Sequence, residues 1–142
     1  MLVRILPVQT SDYWDLIKGD IAASMPPIAD WGPYDPNQVL YALMVGAMHL
    51  WVFTDKEQTP KGFITTSILK DVSGVGTLMI YNVIVVKNDA KGDWEADYKT
   101  LKDFALSRGC AKIGAFVANR KILDLLEAQD FDTRFVFVHK NL

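Results

Sequence analysis

The chain has 142 residues, half of them hydrophobic and 23% charged, with 15 Lys and Arg against 17 Asp and Glu for a formal net charge of −2. That size and apolar content suit one folded domain spanning 1–142 and exclude a disordered chain. The near-neutral balance, without a block of like charges, argues against a nucleic acid or a membrane surface as partner. The single cysteine, Cys110, excludes an internal disulfide and fits a reducing compartment. It reads as a buried structural thiol rather than a nucleophile, since no histidine lies near it in sequence. No apolar stretch reaches membrane-spanning length, and the opening MLVRILPV is too short for a signal peptide, so the expected location is cytoplasmic.

Leu2 to Val8 reads as an edge strand that stops at Pro7. Thr10, Ser11 and Asp12 offer N-cap chemistry for a helix with Trp14, Ile17 and Ile21 on one face, ended by Met25-Pro26-Pro27. Ile28 to Pro36 is a loop rich in large aromatics, including Trp31 and Tyr34. Val39, Leu40, Leu43 and Ala47 mark a second helix ending near Gly46. Leu50 to Thr54 and Gly62 to Leu69 read as strands, joined by a polar turn.

Leu78 to Val86 is a nearly unbroken apolar, β-branched run, the pattern of a strand buried on both faces. Lys87 to Gly92 turns the chain, and Trp94, Tyr98, Leu101 and Ala105 recur at helical spacing up to Arg108. A strand running into a helix start is a place where free backbone N–H groups can hold an anion. Gly109 serves as C-cap, and Lys112 to Val117 reads as a further strand. Asn119 caps a helix with Ile122, Leu125 and Leu126 on one face, and Arg134 to His139 reads as a last strand. The order is β–α–α–β–β–β–α–β–α–β. Short connections make the three middle strands antiparallel, and the helical crossover makes the strands flanking it parallel. A doubly wound dinucleotide fold is excluded, because βα units do not alternate from the start.

Two stretches carry a resemblance. Val85 to Ala96 reads VVKNDAKGDWEA and, with one inserted residue, places Lys91-Gly92 on the Arg/Gln-Gly pair and Ala96 on the final small residue of V-x-P-x-x-[RQ]-G-x-G-x-[GA]. Asn119 to Phe131 keeps Asn119, Leu125, Glu127 and Phe131 of N-x-x-A-x-x-L-Y-E-K-x-G-F. With the element order, the whole chain resembles the GCN5-related N-acetyltransferases, the GNAT family, and in its degeneracy the small GNAT-like proteins of tailed phages. The resemblance implies an α/β fold, a mixed twisted sheet of about six or seven strands with helices on both faces. It also implies acetyl-CoA as cosubstrate, held by Val85, Val86, Lys91, Gly92 and Asn119, with the Trp31 and Tyr34 loop lining the acceptor groove. That loop equally suits a protein partner or simple packing over the core.

Departures from the pattern point elsewhere. Trp94 replaces the middle glycine of the turn, and Asp89, Asp93, Glu95 and Asp97 crowd the helix start. Carboxylates in a first turn complement the helix dipole, so the helix is expected to satisfy its own anion site instead of holding a pyrophosphate. Leu126 stands where the family often has a general-acid tyrosine, and Tyr81 where it often has a catalytic glutamate. A phenol is a poor base at neutral pH, and a buried sheet tyrosine with its hydroxyl bonded is the plainer reading. His49 and His139 lack ligand-spaced partners, so no metal site is expected. The expected function is a non-catalytic binding or assembly module with a protein partner or self-association, virion-associated if phage-encoded. The alternative is an acetyl-CoA-dependent N-acetyltransferase of a primary amine.

Overall fold

The computed structural model describes residues 1–26, 35–85, 94–138 and 140. Strand β1 (Leu2–Ile5) leads through a short 3-10 turn, Pro7–Gln9, into helix α1 (Thr10–Ser24). Helix α2 (Pro36–Met44) follows, then β2 (Met48–Thr54), β3 (Pro60–Lys70) and β4 (Gly76–Val85). Helix α3 (Trp94–Ser107), β5 (Cys110–Ala115) and α4 (Arg120–Glu127) complete the described elements. The sheet order is β1-β2-β3-β4-β5, antiparallel through β4 and parallel between β4 and β5.

Strand alternation distributes the core over both faces. Leu50, Val52 and Phe63 join Ile17 and Ile21 of α1 and Leu43 of α2 on one side. Trp51, Ile64, Leu78 and Ile80 join Leu101 and Ala105 of α3 on the other, with Leu2 and Cys110. The Cys110 thiol is therefore a core group.

Several boundaries differ from the sequence expectations. Strand β1 stops at Ile5, because Pro7 opens the 3-10 turn. Helix α1 takes no side-chain cap: Gln9 precedes Thr10, and its amide oxygen accepts the Leu6 N–H instead. Asn119 does cap α4, accepting the Lys121 N–H at 2.8 Å. Gly109, at φ +72°, closes α3 in the left-handed conformation that glycine allows most readily.

The expected last strand is absent from Arg134 to Val138, and His139 lies outside the described residues. Arg134 instead bends back onto Asp132, donating its backbone N–H and guanidinium to that carboxylate. Such local bonding competes with a ladder. Five strands, not six or seven, are present among the described residues.

The central strand is also not buried on both faces throughout. Thr65 pairs with Asn82 and Thr66 with Ile80, so Tyr81 has no partner on β3 and forms a β-bulge. The extra residue reverses the face parity. Leu78 and Ile80 point to α3, whereas Ile84 belongs to the cluster under α1 and α2. Beyond the bulge Val83 and Val85 are 49% and 57% exposed. A chain of hydrogen bonds, buried at Thr65 and Asn82 and reaching the surface at Ser24, secures the irregularity. The Thr65 hydroxyl donates to Asn82 Oδ1, Asn82 Nδ2 donates to Ser24 Oγ at 2.8 Å, and Ser24 donates to the Asp20 carbonyl at the end of α1.

Two predictions follow from this register. Asn82→Leu leaves the buried Thr65 hydroxyl without its acceptor and should cost about 1–3 kcal/mol in urea unfolding; an unchanged midpoint would dismiss the network as incidental. At Gly62, a Cβ would lie 2.4 Å from the Ile84 carbonyl oxygen. Gly62→Ala should therefore force β3 and β4 apart and destabilise by about 1–3 kcal/mol, read as a lowered urea midpoint.

Candidate acyl-transfer groove

The bulge coincides with a fork in the sheet. Strand β5 follows β4 only from Gly76↔Cys110 to Ile80↔Ala115, with a last bond from the Phe116 N–H to the Ile80 carbonyl at 3.2 Å. Past that point β4 runs on to Val85 while β5 has ended. The Phe116 ring sits in the fork, its centroid 5.4 Å from that of Tyr81. Tyr81 to Val85 thus presents a backbone edge free of β5, with Val83 and Val85 as an apolar floor open to solvent. An extended ligand with amide groups and an apolar stem can pair with such an edge as an added strand does.

Tyr81 and Asn82 are consecutive yet both face α1 and α2, as a bulge requires. Tyr81 lines a cavity of about 170 Å³ with Met25, Val39, Ala42, Met48, Ser67 and Gln38. Its hydroxyl meets no partner among the described residues, contrary to the expected bonded phenol. Burial pushes its pKa above the ordinary tyrosine value, because the phenolate would lose hydration. The residue is a poorer base in place than in water.

Of the residues the resemblance assigns to acetyl-CoA, Val85 stands at the end of the open edge and Asn119 caps α4. The Asn119 side-chain Oδ1 is spent on the Lys121 N–H, which leaves its amide NH₂ as a donor. Val86, Lys91 and Gly92 lie outside the described residues, as do Trp31 and Tyr34.

Trp94 opens α3, and its indole is held sideways. Nε1 donates to Gln129 Oε1 at 3.0 Å, the ring stacks on Tyr98 at 30°, and Tyr98 meets Phe131 edge-on at 6.1 Å. This aromatic row ties the start of α3 to the segment after α4, a connection that spacing alone does not reveal. Of the four acids near the helix start, Asp89 and Asp93 lie outside the described residues. Glu95 is exposed, but Asp97 is buried, its carboxylate 4.0 Å from the Met1 ammonium. Asp97 therefore directs its charge to the ammonium of Met1, just before β1. Leu126, at the expected general-acid position, is 7% exposed.

Among the described residues no cluster of His, Cys, Asp and Glu could hold a metal ion, and no helix is long and apolar enough to cross a membrane.

No family model matches the sequence, and no curated protein sequence matches it. Solved structures do match its fold along the whole chain. A ribosomal-protein-alanine N-acetyltransferase of Brucella melitensis biovar Abortus 2308 superposes with a TM-score of 0.69 at 14% identity, covering 100% of this chain and 99% of its own. An acetyltransferase of Trypanosoma brucei gives 0.65 at 16% identity, with coverage of 100% and 99%. An aminoglycoside acetyltransferase from an uncultured soil metagenomic sample, solved with sisomicin, gives 0.72 at 15% identity, with coverage of 100% and 95%. Five strands in this order, the fork after Ile80 and the crossover through α3 make this chain a divergent bearer of the GNAT-type acetyltransferase fold.

Proposed function

We propose that this GNAT-fold chain works by binding a protein partner, or a second copy of itself, and has lost acyl-transfer chemistry. The observation that carries this reading is Leu126, a buried side chain that falls where the GNAT pattern often has a tyrosine and that, being apolar, cannot transfer a proton. The other polar groups around the bulge do not replace it. Thr65, Asn82 and Ser24 are committed to one another, and the Tyr81 hydroxyl resists ionisation.

Exposed large apolar residues are spread along the chain, and one run of them follows α4. Ile122 and Leu125 project from α4, and Phe135, Val136 and Val138 are exposed beyond it. Contiguous apolar exposure of this kind supports a protein contact. The net charge of −2 supports neither nucleic acid nor membrane as the partner. An assembly role agrees with the resemblance to small tailed-phage proteins.

The second reading, an acetyl-CoA-dependent N-acetyltransferase of a primary amine, is favoured by the fork. The open edge of β4 ending at Val85, its apolar floor and the Asn119 amide suit the stem of acetyl-CoA, which would supply the acyl group. The chain's own contribution would then be proximity and backbone N–H groups, since direct attack by an amine needs little else.

Calorimetry with acetyl-CoA, paired with a thiol-release assay over small amines and peptide N-termini, separates the two. The binding-module reading expects no amine-dependent release above the blank, and release clearly above it would overturn that reading. Trp94→Gly bares the backbone at the start of α3 and should tighten CoA binding by about tenfold if the indole obstructs the ligand. Affinity unchanged from wild type would show that the indole is not the obstacle.

A further inference from the structure

A second cavity, of about 250 Å³, lies at the other end of α3. Arg108 follows the last residue of that helix, roughly 20 Å along its axis from Trp94 at 1.5 Å per residue. The cavity is therefore separate from the fork. Its polar wall consists of Arg4 from β1, Thr10 at the start of α1, His49 from β2 and Arg108.

Two positive charges converge here without compensation. The Arg4 and Arg108 guanidinium carbons each lie 5.2 Å from the centroid of Phe104, and His49 and Trp51 meet the same ring edge-on at 5.0 Å. One aromatic ring thus gathers both arginines beside a buried imidazole. Neither arginine meets a carboxylate among the described residues. Cation–π contact offsets part of their mutual repulsion, and no acceptor among the described residues takes their hydrogen-bond donors, those of the exposed Arg108 being open to solvent.

The second observation is independent of charge. Thr10 lines the cavity, is 1% exposed, and its hydroxyl meets no partner among the described residues. Buried hydroxyls are normally bonded, so this one calls for a ligand or a water. His49 responds to the same surroundings. Its Nδ1 lies 3.3 Å from Thr66 Oγ1, and its pKa is lowered by burial and then by the charges of Arg4 and Arg108. Those two arginines are the charged groups that act on it.

The geometry points to an oxyanion site in this cavity, taking a phosphate group, free or carried on a small molecule, between Arg4 and Arg108 with the Thr10 hydroxyl as a further donor. Guanidinium forks match phosphate oxygens, and a partly buried setting strengthens each charge-assisted bond. The proposal is independent of whether the fork binds acetyl-CoA.

The test is NMR on the full chain, following the His49 ring during titration with inorganic phosphate and, separately, glycerol phosphate, each against chloride at equal ionic strength. The expected result is a saturable shift for at least one phosphate probe, with a raised His49 pKa in its presence because the bound anion offsets the two arginines. The tighter of the two probes tells whether the group binds free or carried. Arg4→Gln and Arg108→Gln should each weaken binding by about tenfold. Thr10→Val should weaken it too, while Thr10→Ser retains it. Shifts that track chloride, or that persist unaltered when both arginines are replaced, would overturn the site. Should the double variant fail to fold, the wild-type comparison of phosphate with chloride still decides.

Discussion

The arrangement depends on one extra residue in one strand. Tyr81 has no opposite number on β3, and inserting it turns β4 over. Before the bulge the strand gives its apolar side chains to α3; after it, to α1 and α2. The fork, the open edge at Val83 and Val85 and the placement of Tyr81 beside α2 all follow from that reversal. Asn82 holds it in place. Its amide bonds β3 on one side and α1 on the other, so the irregularity is fixed by a polar chain and not by apolar packing alone.

Fold and chemistry are separable in this chain. The features that make a GNAT-type groove are backbone features: a bulge, a divergence of two strands, a helix start. They survive wherever the sheet register survives, whatever the side chains are. The features that move protons are side chains, and the positions the resemblance assigns to them hold a buried leucine and a half-buried phenol. A binding protein can keep the first set while discarding the second.

Much of the sheet was legible because alternation and turn chemistry are local. The strands around Leu50–Thr54 and Gly62–Leu69, the capping role of Asn119 and the burial of Ile17 and Ile21 could be read residue by residue. The bulge was not. The apolar run Leu78–Val85 looks uniform, so nothing in it marks where the parity changes; only the pairing of Thr65 and Thr66 locates Tyr81 as the extra residue. The segment Arg134–Val138 misled in the opposite way. Its residues favour a strand, but a strand needs a neighbour, and Asp132 captured Arg134 locally. Trp94 was legible as a departure from a pattern, whereas its tie to Gln129, 35 residues away, was not. The meeting of Arg4, His49 and Arg108 on one ring was likewise hidden, since three distant segments supply it.

The division of the core into two clusters has a consequence for the order of folding. Every member of the cluster under α1 and α2 lies between Ile5 and Ile84, so that half of the core is complete in the chain before α3 exists. The opposite cluster cannot close until Leu101, Ala105 and Cys110 arrive, although its first member is Leu2. During synthesis from the N-terminus the sheet can therefore settle on α1 and α2 while its other face is still bare. The earliest strand waits longest for its full packing. The contacts that close the fold join residues separated by more than two-thirds of the chain, from Leu2 to Leu101, Ala105 and Cys110.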